Sequence, residues 1–319
     1  MGIKISEPLV SVIIPTYNRA TVIGRTIEDV FAQTYKNIEV IIVDDGSTDD
    51  TQARLHEFGE RIRVITQANA GPAVARNRGA QAARGAIIAF QDSDDLWRAT
   101  KLARQVALLA KYDTAPCCLC NTLMRVVDGK EWTSFDESSI HPRHAEGLWL
   151  NVPEVLATRF ILFNQTAAIR RSAFEKVGGF QEDLKYLEDY DLPLRLSLEG
   201  PWTFIREPLI IYGENSPESF SQQALRDQVV LRECAVRIFE RLLTIVNEQD
   251  GRATFRGLLK HRLRMLRWLL IAAKLQDSQR FGGTLTAQAL IRLDHYVRAL
   301  FRRSPWFPQP LTTPADQAG

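Results

Sequence analysis

Val40-Ile41-Ile42-Val43-Asp44-Asp45-Gly46-Ser47, residues 40–47, decides the fold. Four apolar residues in a row read as a strand buried on both faces, the mark of a parallel sheet covered by helices. The run ends in acid. A second run, Ala86-Ile87-Ile88-Ala89-Phe90-Gln91, leads into Asp92-Ser93-Asp94-Asp95, and a third acidic cluster, Glu188-Asp189-Tyr190-Asp191, lies far downstream. In open α/β sheets ligands bind beyond the carboxyl ends of the strands, so carboxylates at such ends converge on one crevice. Carboxylates gathered there need a cation or a proton to coexist, which points to metal-assisted chemistry.

Working outward, strands over residues 9–14, 38–43, 62–66 and 86–91 alternate with helices over 20–33, 49–58, 72–83 and 97–111. This order predicts an α/β fold with a doubly wound, mainly parallel sheet. Pro15 is expected to stop the first strand. Pro72 is expected in the first turn of its helix, where a missing N–H costs little. A strand over 117–127 turns at Asp128-Gly129, and 130–150 reads as loop. Residues 164–212 resume with a strand, short helices and a strand near 202–211. From Ala224 the pattern is helical, with Leu231, Ala235, Ile238, Leu242 and Ile245 on one face. A second helix is predicted over 254–275. Pro305, Pro308 and Pro310 make the tail after Ser304 irregular. The expected division is an α/β domain over 1–222 and a helical, basic C-terminal extension over 223–319.

The 319 residues are 45% hydrophobic and 24% charged, which suits a globular chain and excludes a disordered one. Formal net charge is +2, but residues 221–319 carry 16 Lys+Arg against 8 Asp+Glu, while 1–220 carry 24 against 30. The excess of positive charge therefore sits at the C-terminal end. Four cysteines are too few for a disulfide scaffold, and three crowd at Cys117, Cys118 and Cys120 without paired CxxC spacing, so they read as small buried strand residues rather than zinc ligands. The cysteine pattern makes a reducing, cytoplasmic location the expectation; no secretory signal and no membrane-spanning run is visible. The segment Trp268-Leu269-Leu270-Ile271-Ala272-Ala273 is too short to cross a bilayer.

Taken in order, Thr16-Tyr17-Asn18-Arg19, Gln33-Thr34-Tyr35-Lys36-Asn37-Ile38-Glu39, Val43-Asp44-Asp45-Gly46-Ser47-Thr48-Asp49, Ala75-Arg76-Asn77-Arg78-Gly79 and Gln91-Asp92-Ser93-Asp94-Asp95 resemble the family 2 glycosyltransferases. Val177-Gly178-Gly179-Phe180, Glu188-Asp189-Tyr190-Asp191 and Glu207-Pro208-Leu209 extend the resemblance, which covers about residues 8–220. It implies the GT-A fold and an inverting transfer of sugar from a nucleotide-sugar donor. UDP-sugar is the donor it suggests; the acceptor it suggests is a hydroxyl of a glycan or lipid-linked molecule.

The resemblance assigns roles by position. Asp45 contacts the base, with Pro15, Thr16, Tyr17 and Arg19 in the same pocket. Arg76 approaches the nucleotide and its phosphates, as a guanidinium forking onto phosphate oxygens would. Asp92-Ser93-Asp94 resembles the DxD motif, with Asp92 and Ser93 on the nucleotide side and Asp94 the direct ligand of Mn²⁺ or Mg²⁺, hard cations that suit carboxylate and diphosphate oxygens. Glu188-Asp189 resembles the ED motif, with Asp189 the general base and Glu188 beside it. Plainer readings compete: Ser47 or Thr48 capping a helix, Asp92 to Asp95 capping the helix predicted from Trp97, and Arg76 as a solvated helix residue.

Two departures stand out. Pro193, where the family often has an aromatic, places the start of its helix near Asp191, because proline is tolerated only in a first turn. The His that completes the metal site in many relatives is absent from Tyr212-Gly213-Glu214-Asn215-Ser216, leaving Glu214 or Asn215 as oxygen donors, or Asp94 and the diphosphate alone. Rival readings are a non-catalytic nucleotide-sugar scaffold and a nucleotidyltransferase. Against the latter, Thr16-Tyr17-Asn18-Arg19 is not a Gly-rich basic loop. Arg252, Arg256, Lys260, Arg262, Arg264, Arg267 and Lys274 interleave with leucines over 252–274 and no acid intervenes. Three partners remain open for that helix: an anionic membrane face at the inner side of the cell membrane, the catalytic domain, or a second subunit in a homodimer. No nucleic-acid-binding module is recognisable in it.

Overall fold

The computed structural model describes residues 7–93, 95–127, 129–213, 224, 226–249 and 252–277. Its centre is the run of apolar strands expected above. β1 (Val10–Thr16) lies between β2 (Ile38–Asp44) and β4 (Ile87–Phe90), parallel to both, and β3 (Arg63–Thr66) lies parallel outside β2. The sheet then changes character. β9 (Ala167–Arg170) runs antiparallel between β4 and β6 (Cys117–Val127), and β10 (Trp202–Ile211) lies parallel to β6. The short strands β5 (Leu96–Trp97) and β8 (Glu146–Trp149) pair antiparallel with β10, and β7 (Lys130–Thr133) with β6.

Side chains alternate across a strand, so each strand feeds two cores. Val10, Val12 and Ile14 join one core with α1 (Ile23–Phe31), α2 (Thr51–His56) and α4 (Lys101–Lys111). Ile13, Ile41 and Val43 join the other with α3 (Pro72–Ala82), α7 (Arg171–Lys176) and α8 (Glu188–Leu196). The short α5 (Ser134–Glu137) and α6 (Val152–Leu156) belong to this second side. Helix α3 presses close to the sheet because Gly79 faces it: a Cβ there would collide with Ile13 Cγ2 and stand 3.2 Å from Val43 Cγ2.

The strands over 117–127 and 202–211 match the sequence reading, and several boundaries differ for physical reasons. β1 runs through Pro15 instead of stopping there. Gln91 N–H donates to Ile13 O, whereas Asp45 N–H donates to Thr16 O. Successive residues bond to opposite neighbours, so the ring nitrogen of Pro15 faces the β4 side, beyond its last paired residue, and no ladder bond is lost. Trp97 does not open a helix; Leu96–Trp97 is a strand, and α4 begins at Lys101. Residues 130–150 are not all loop but hold β7, α5 and β8. α8 begins at Glu188 rather than near Asp191, with Pro193 inside it. The face of α9 (Gln228–Asn247) that is buried most deeply is Cys234, Ile238, Phe239, Leu242 and Val246, rotated slightly from the predicted stripe. Ser47 and Thr48 do not cap α2, whose N-cap position is Asp50. The tail after Ser304 lies outside the described residues.

α9 and α10 (Ala253–Asp277) share the second core. Phe239, Leu242, Leu258, Leu259, Leu263 and Leu266 pack in the cluster that holds Leu192 and Leu194 of α8. Arg241 Nη2 reaches Asp183 at 3.0 Å, and Arg252 Nη2 donates to Leu198 O at 3.1 Å. Of the three partners open to the basic helix, its leucine face therefore meets the α/β body.

Among the described residues, one fully buried cation lies against the first core. Lys101 is fully buried, donates from Nζ to Gln105 Oε1 at 2.9 Å and sits 3.8 Å from the Trp97 ring centroid. Burial pulls its pKa down to about 8. A lysine with a lowered folded pKa releases its proton sooner in the folded than in the unfolded chain, so stability is expected to rise as pH climbs from about 8 toward 10.5. The rise is at most about 3 kcal/mol from the size of the shift. Urea unfolding at pH 7.5 and pH 10 should show it in the parent and not in Lys101→Met. The cysteines match their reading: all four are free and buried, and burial pushes Cys118 up to about 12 and Cys120 up to about 11.

Candidate functional site

The crevice beyond β1, β2 and β4 is built from two knitted loops. Asn18 takes a left-handed backbone, φ 54°, which asparagine tolerates better than most residues. Its N–H donates to Ser47 Oγ at 2.9 Å, and its Oδ1 accepts from Thr48 N–H at 2.8 Å. Arg19 N–H donates to Thr51 Oγ1, and Ala20 N–H to Asp49 Oδ2. These bonds fix the turn that carries Thr16, Tyr17 and Arg19. Thr16 is buried with no partner for its Oγ1, while Tyr17 is 44% exposed at the rim.

Asp45 is buried and clamps the loop between β3 and α3. Its Oδ1 accepts from Gln67 Nε2 at 2.7 Å and Ala70 N–H at 2.9 Å, and its Oδ2 from Gly71 N–H at 2.9 Å. A carboxylate offers about four acceptor positions. Three are filled, so Oδ2 keeps one for a single N–H from outside. Gly46, φ 79°, makes this turn possible, since a Cβ there would stand 2.9 Å from Asn69 N.

The second acidic loop follows β4. Ser93 O accepts from Thr26 Oγ1 at 2.7 Å, and Asp95 Oδ1 accepts from Gly213 N–H at 2.8 Å, so Asp95 is turned toward the end of β10. Asp94 lies outside the described residues, as do Glu214 and Asn215. Asp92 faces the crevice, its side chain 29% exposed.

Arg76 joins the two acidic clusters. Projecting from α3, it is 6% exposed; Nη2 donates to Asp92 Oδ1 at 2.8 Å and Nη1 to Glu188 Oε1 at 3.0 Å. Its guanidinium lies 5.6 Å from the Phe180 ring centroid, and its Nε has no partner. Burial alone would lower its pKa, but the nearby Asp92 and Glu188 carboxylates outweigh that and raise it. Where the sequence suggested a phosphate contact, the guanidinium meets two carboxylates.

Leu187 delivers the third cluster. It adopts a left-handed conformation, φ 67° and ψ 22°, strain of the kind that collects at functional sites. Its O accepts from Tyr190 N–H and Asp191 N–H, which starts α8 abruptly. Glu188 and Asp189 thus occupy the first turn, where carboxylates complement the helix dipole. Pro193 has no N–H to give the Asp189 carbonyl four residues back. Below, Arg195 grips Asp191 and donates to Gly179 O at 2.7 Å, tying α8 to the turn that carries Phe180. Asp189 is half-buried, and its pKa is raised to about 7. Burial is the chief cause; Glu188 and Asp92 add repulsion, and Arg76 opposes both.

Residues 11–178 match the family model described as glycosyl transferase family 2. The chain belongs to glycosyl transferase family 2. Among family relatives, the uncharacterized glycosyltransferase RP339 of Rickettsia prowazekii is 33% identical over 208 residues, 65% of this chain and 64% of that protein. The putative teichuronic acid biosynthesis glycosyltransferase TuaG of Bacillus subtilis is 42% identical over 113 residues, 34% of this chain and 45% of that protein. The chain thus spans less than two thirds of the length of these relatives. Among solved structures, S. aureus TarS 1-349 in complex with UDP-GlcNAc matches with TM-score 0.58 and 19% identity over 92% of this chain and 91% of that one. The mannosyltransferase PcManGT from Pyrobaculum calidifontis, in complex with GDP-Man and Mn²⁺, matches with TM-score 0.57 and 22% identity over 95% and 83%. These likenesses establish the GT-A fold.

Family 2 members of this fold invite a metal test. Among the described residues no group of three or more His, Cys, Asp or Glu side chains is placed to hold an ion. Asp92 Oδ1 is taken by Arg76, while Oδ2 has no bond among the described residues. One or two carboxylates with the rest of the shell from diphosphate and water is the usual way a magnesium-like cation is held, so the residues fit such a site and not an all-protein cage. Sequence reasoning missed Gln67, which orients Asp45, and Asn77, whose Oδ1 accepts from Phe180 N–H at 2.9 Å. Asn77 stands inside the motif Ala75-Arg76-Asn77-Arg78-Gly79 without a role, and nothing marks Gln67; their partners, 103 and 22 positions away, leave no local trace.

Proposed function

We propose that the chain is an inverting glycosyltransferase that moves one sugar from a nucleotide-sugar donor to a hydroxyl of a glycan or lipid-linked acceptor. The observation that carries this reading is Asp189, a half-buried carboxylate at the head of α8 with its pKa raised to about 7. A general base works best with a pKa near the operating pH. Asp189 takes the proton of the acceptor hydroxyl as that oxygen bonds to the anomeric carbon. The bond from that carbon to the diphosphate breaks on the opposite face, so configuration inverts. Glu188 and Arg76 hold the base's surroundings in place. The free acceptor position on Asp45 suits one base N–H, and Pro15, Thr16, Tyr17, Arg19 and Ser93 form the rest of the nucleotide's pocket. A divalent cation held by Asp94 and Asp92, when bound, offsets the charge that grows on the departing diphosphate.

A UDP-sugar is the proposed donor, supported by the likeness to the UDP-GlcNAc-bound TarS. Cell-envelope polysaccharide is the proposed destination, supported by the similarity to TuaG. Thermal melting with UDP, GDP, UDP-sugars and GDP-mannose, each with Mn²⁺, Mg²⁺ or EDTA, tests the donor site, because a ligand of the native state raises the melting temperature by mass action. The expected result is a rise with uridine nucleotides that EDTA removes. No rise with any nucleotide in either metal would sink the proposal.

A further inference from the structure

We infer that the outward face of α10 is a docking surface for an anionic lipid bilayer. Packing divides this helix into two faces. Phe255, Leu258, Leu259, Leu263, Met265 and Leu266 are buried against the body. Lys260, Arg264, Arg267, Trp268, Ile271 and Lys274 are exposed, spaced by three and four residues and so on one side of the helix. Trp268 is 62% and Ile271 49% exposed, one turn apart. Scattered apolar residues on a surface need no explanation, but a tryptophan at this exposure beside an isoleucine within a cationic stripe does.

Charge selects the occupant. No Asp or Glu occurs from residue 252 to 276. Arg267 pairs with Glu240 and Lys274 with Glu233, both at 2.6 Å, leaving Lys260 and Arg264 without an acidic partner among the described residues. A second copy of the chain would set this cationic face against itself in a two-fold contact, which like charges oppose. An anionic headgroup layer offers the opposite: phosphates for Lys260 and Arg264, and an interfacial zone where Trp is favoured and Ile enters the acyl boundary. No helix among the described residues is long and apolar enough to cross a membrane, so the contact is peripheral. If the acceptor is lipid-linked, a reading that rests on the function proposed above, this surface holds the protein on the layer that carries the acceptor.

Flotation with extruded vesicles tests the surface without sugar transfer, so its failure is distinct from failure of the enzymatic reading. Vesicles of phosphatidylcholine mixed with phosphatidylglycerol, which supplies the negative surface potential of an anionic leaflet, are compared with pure phosphatidylcholine. The full chain is expected to float with the anionic vesicles only, and to be released at high salt. Trp268→Ser with Ile271→Ser, and separately Lys260→Glu with Arg264→Glu, should each weaken partition by about tenfold or more, since each removes buried apolar area or charge attraction. Lys111→Glu on α4, on the opposite side of the sheet, serves as the control and should change nothing. Melting temperatures of the variants confirm folding. Absence of flotation, equal flotation with neutral vesicles, or flotation indifferent to both α10 variants would overturn the proposal. So would a dimer in sedimentation velocity that Trp268→Ser dissolves.

Discussion

Asp189→Asn is expected to lower the rate of transfer by about 100- to 10,000-fold, the usual contribution of a positioned base, while nucleotide binding stays within about twofold of the parent. The amide keeps the shape of the carboxylate and cannot accept the proton. The parent's own rate should rise with pH through about 7, where Asp189 becomes the carboxylate. A second readout separates the base from a structural role. Asp189 has a folded pKa above its unfolded value, the reverse of a salt-bridged aspartate. The folded state therefore holds its proton longer, so the carboxylate costs stability once ionised. That cost builds as pH rises from about 3.8 to about 7 and is complete above it. Asp189→Asn removes it. The variant should melt higher than the parent at pH 8, and the difference should vanish below pH 4. A variant that transfers sugar at the parent rate would remove Asp189 as the base; one that melts lower at pH 8 would remove the account of its raised pKa by burial and by repulsion from Glu188 and Asp92.

How much of this was legible in the sequence depended on how far the partners lie along the chain. β2 and β4 announced themselves because a doubly buried strand is a run of apolar residues, and the acids at their ends followed from the rule about strand termini. β6 was readable to its end because the Asp128-Gly129 pair in the sequence is a turn signal. β5 was not, because two residues carry no periodicity; Leu96–Trp97 is a strand only because β10 lies beside it. The same holds for β7 and β8, four residues each in a segment rich in Ser and His. Pro193 misled for a different reason. A helix started by Leu187 and held by Arg195 below tolerates one missing bond, and that support is tertiary. The site divides the same way. Asp45 and Asp189 were visible as motif residues, whereas the bond from Arg76 to Glu188 spans 112 positions and has no local trace.

That bond carries the other large expectation. Arg76→Met is expected to destabilise the fold by about 3–5 kcal/mol, the usual cost of removing one partner from a buried ion pair. The methionine fills much of the volume and keeps the contact with Phe180, so the loss reports charge and not packing. Without the guanidinium, Glu188 and Asp92 lose the cation each is bonded to, and Asp189 loses the one charge that lowers its pKa. The Asp189 pKa should therefore climb further, and any residual transfer should need a higher pH than in the parent. Arg76→Lys should recover little, because one ammonium cannot present two donors in the fixed fork that spans both carboxylates. Urea unfolding of the three proteins at pH 8 and pH 5 measures this. The deficit of the Met variant should shrink at pH 5, where Asp189 is protonated and its attraction to the Arg76 charge no longer counts. A deficit equal at both pH values would make Arg76 a packing residue, and a Lys variant as stable as the parent would show that charge alone, without the fork, holds the two acidic clusters together.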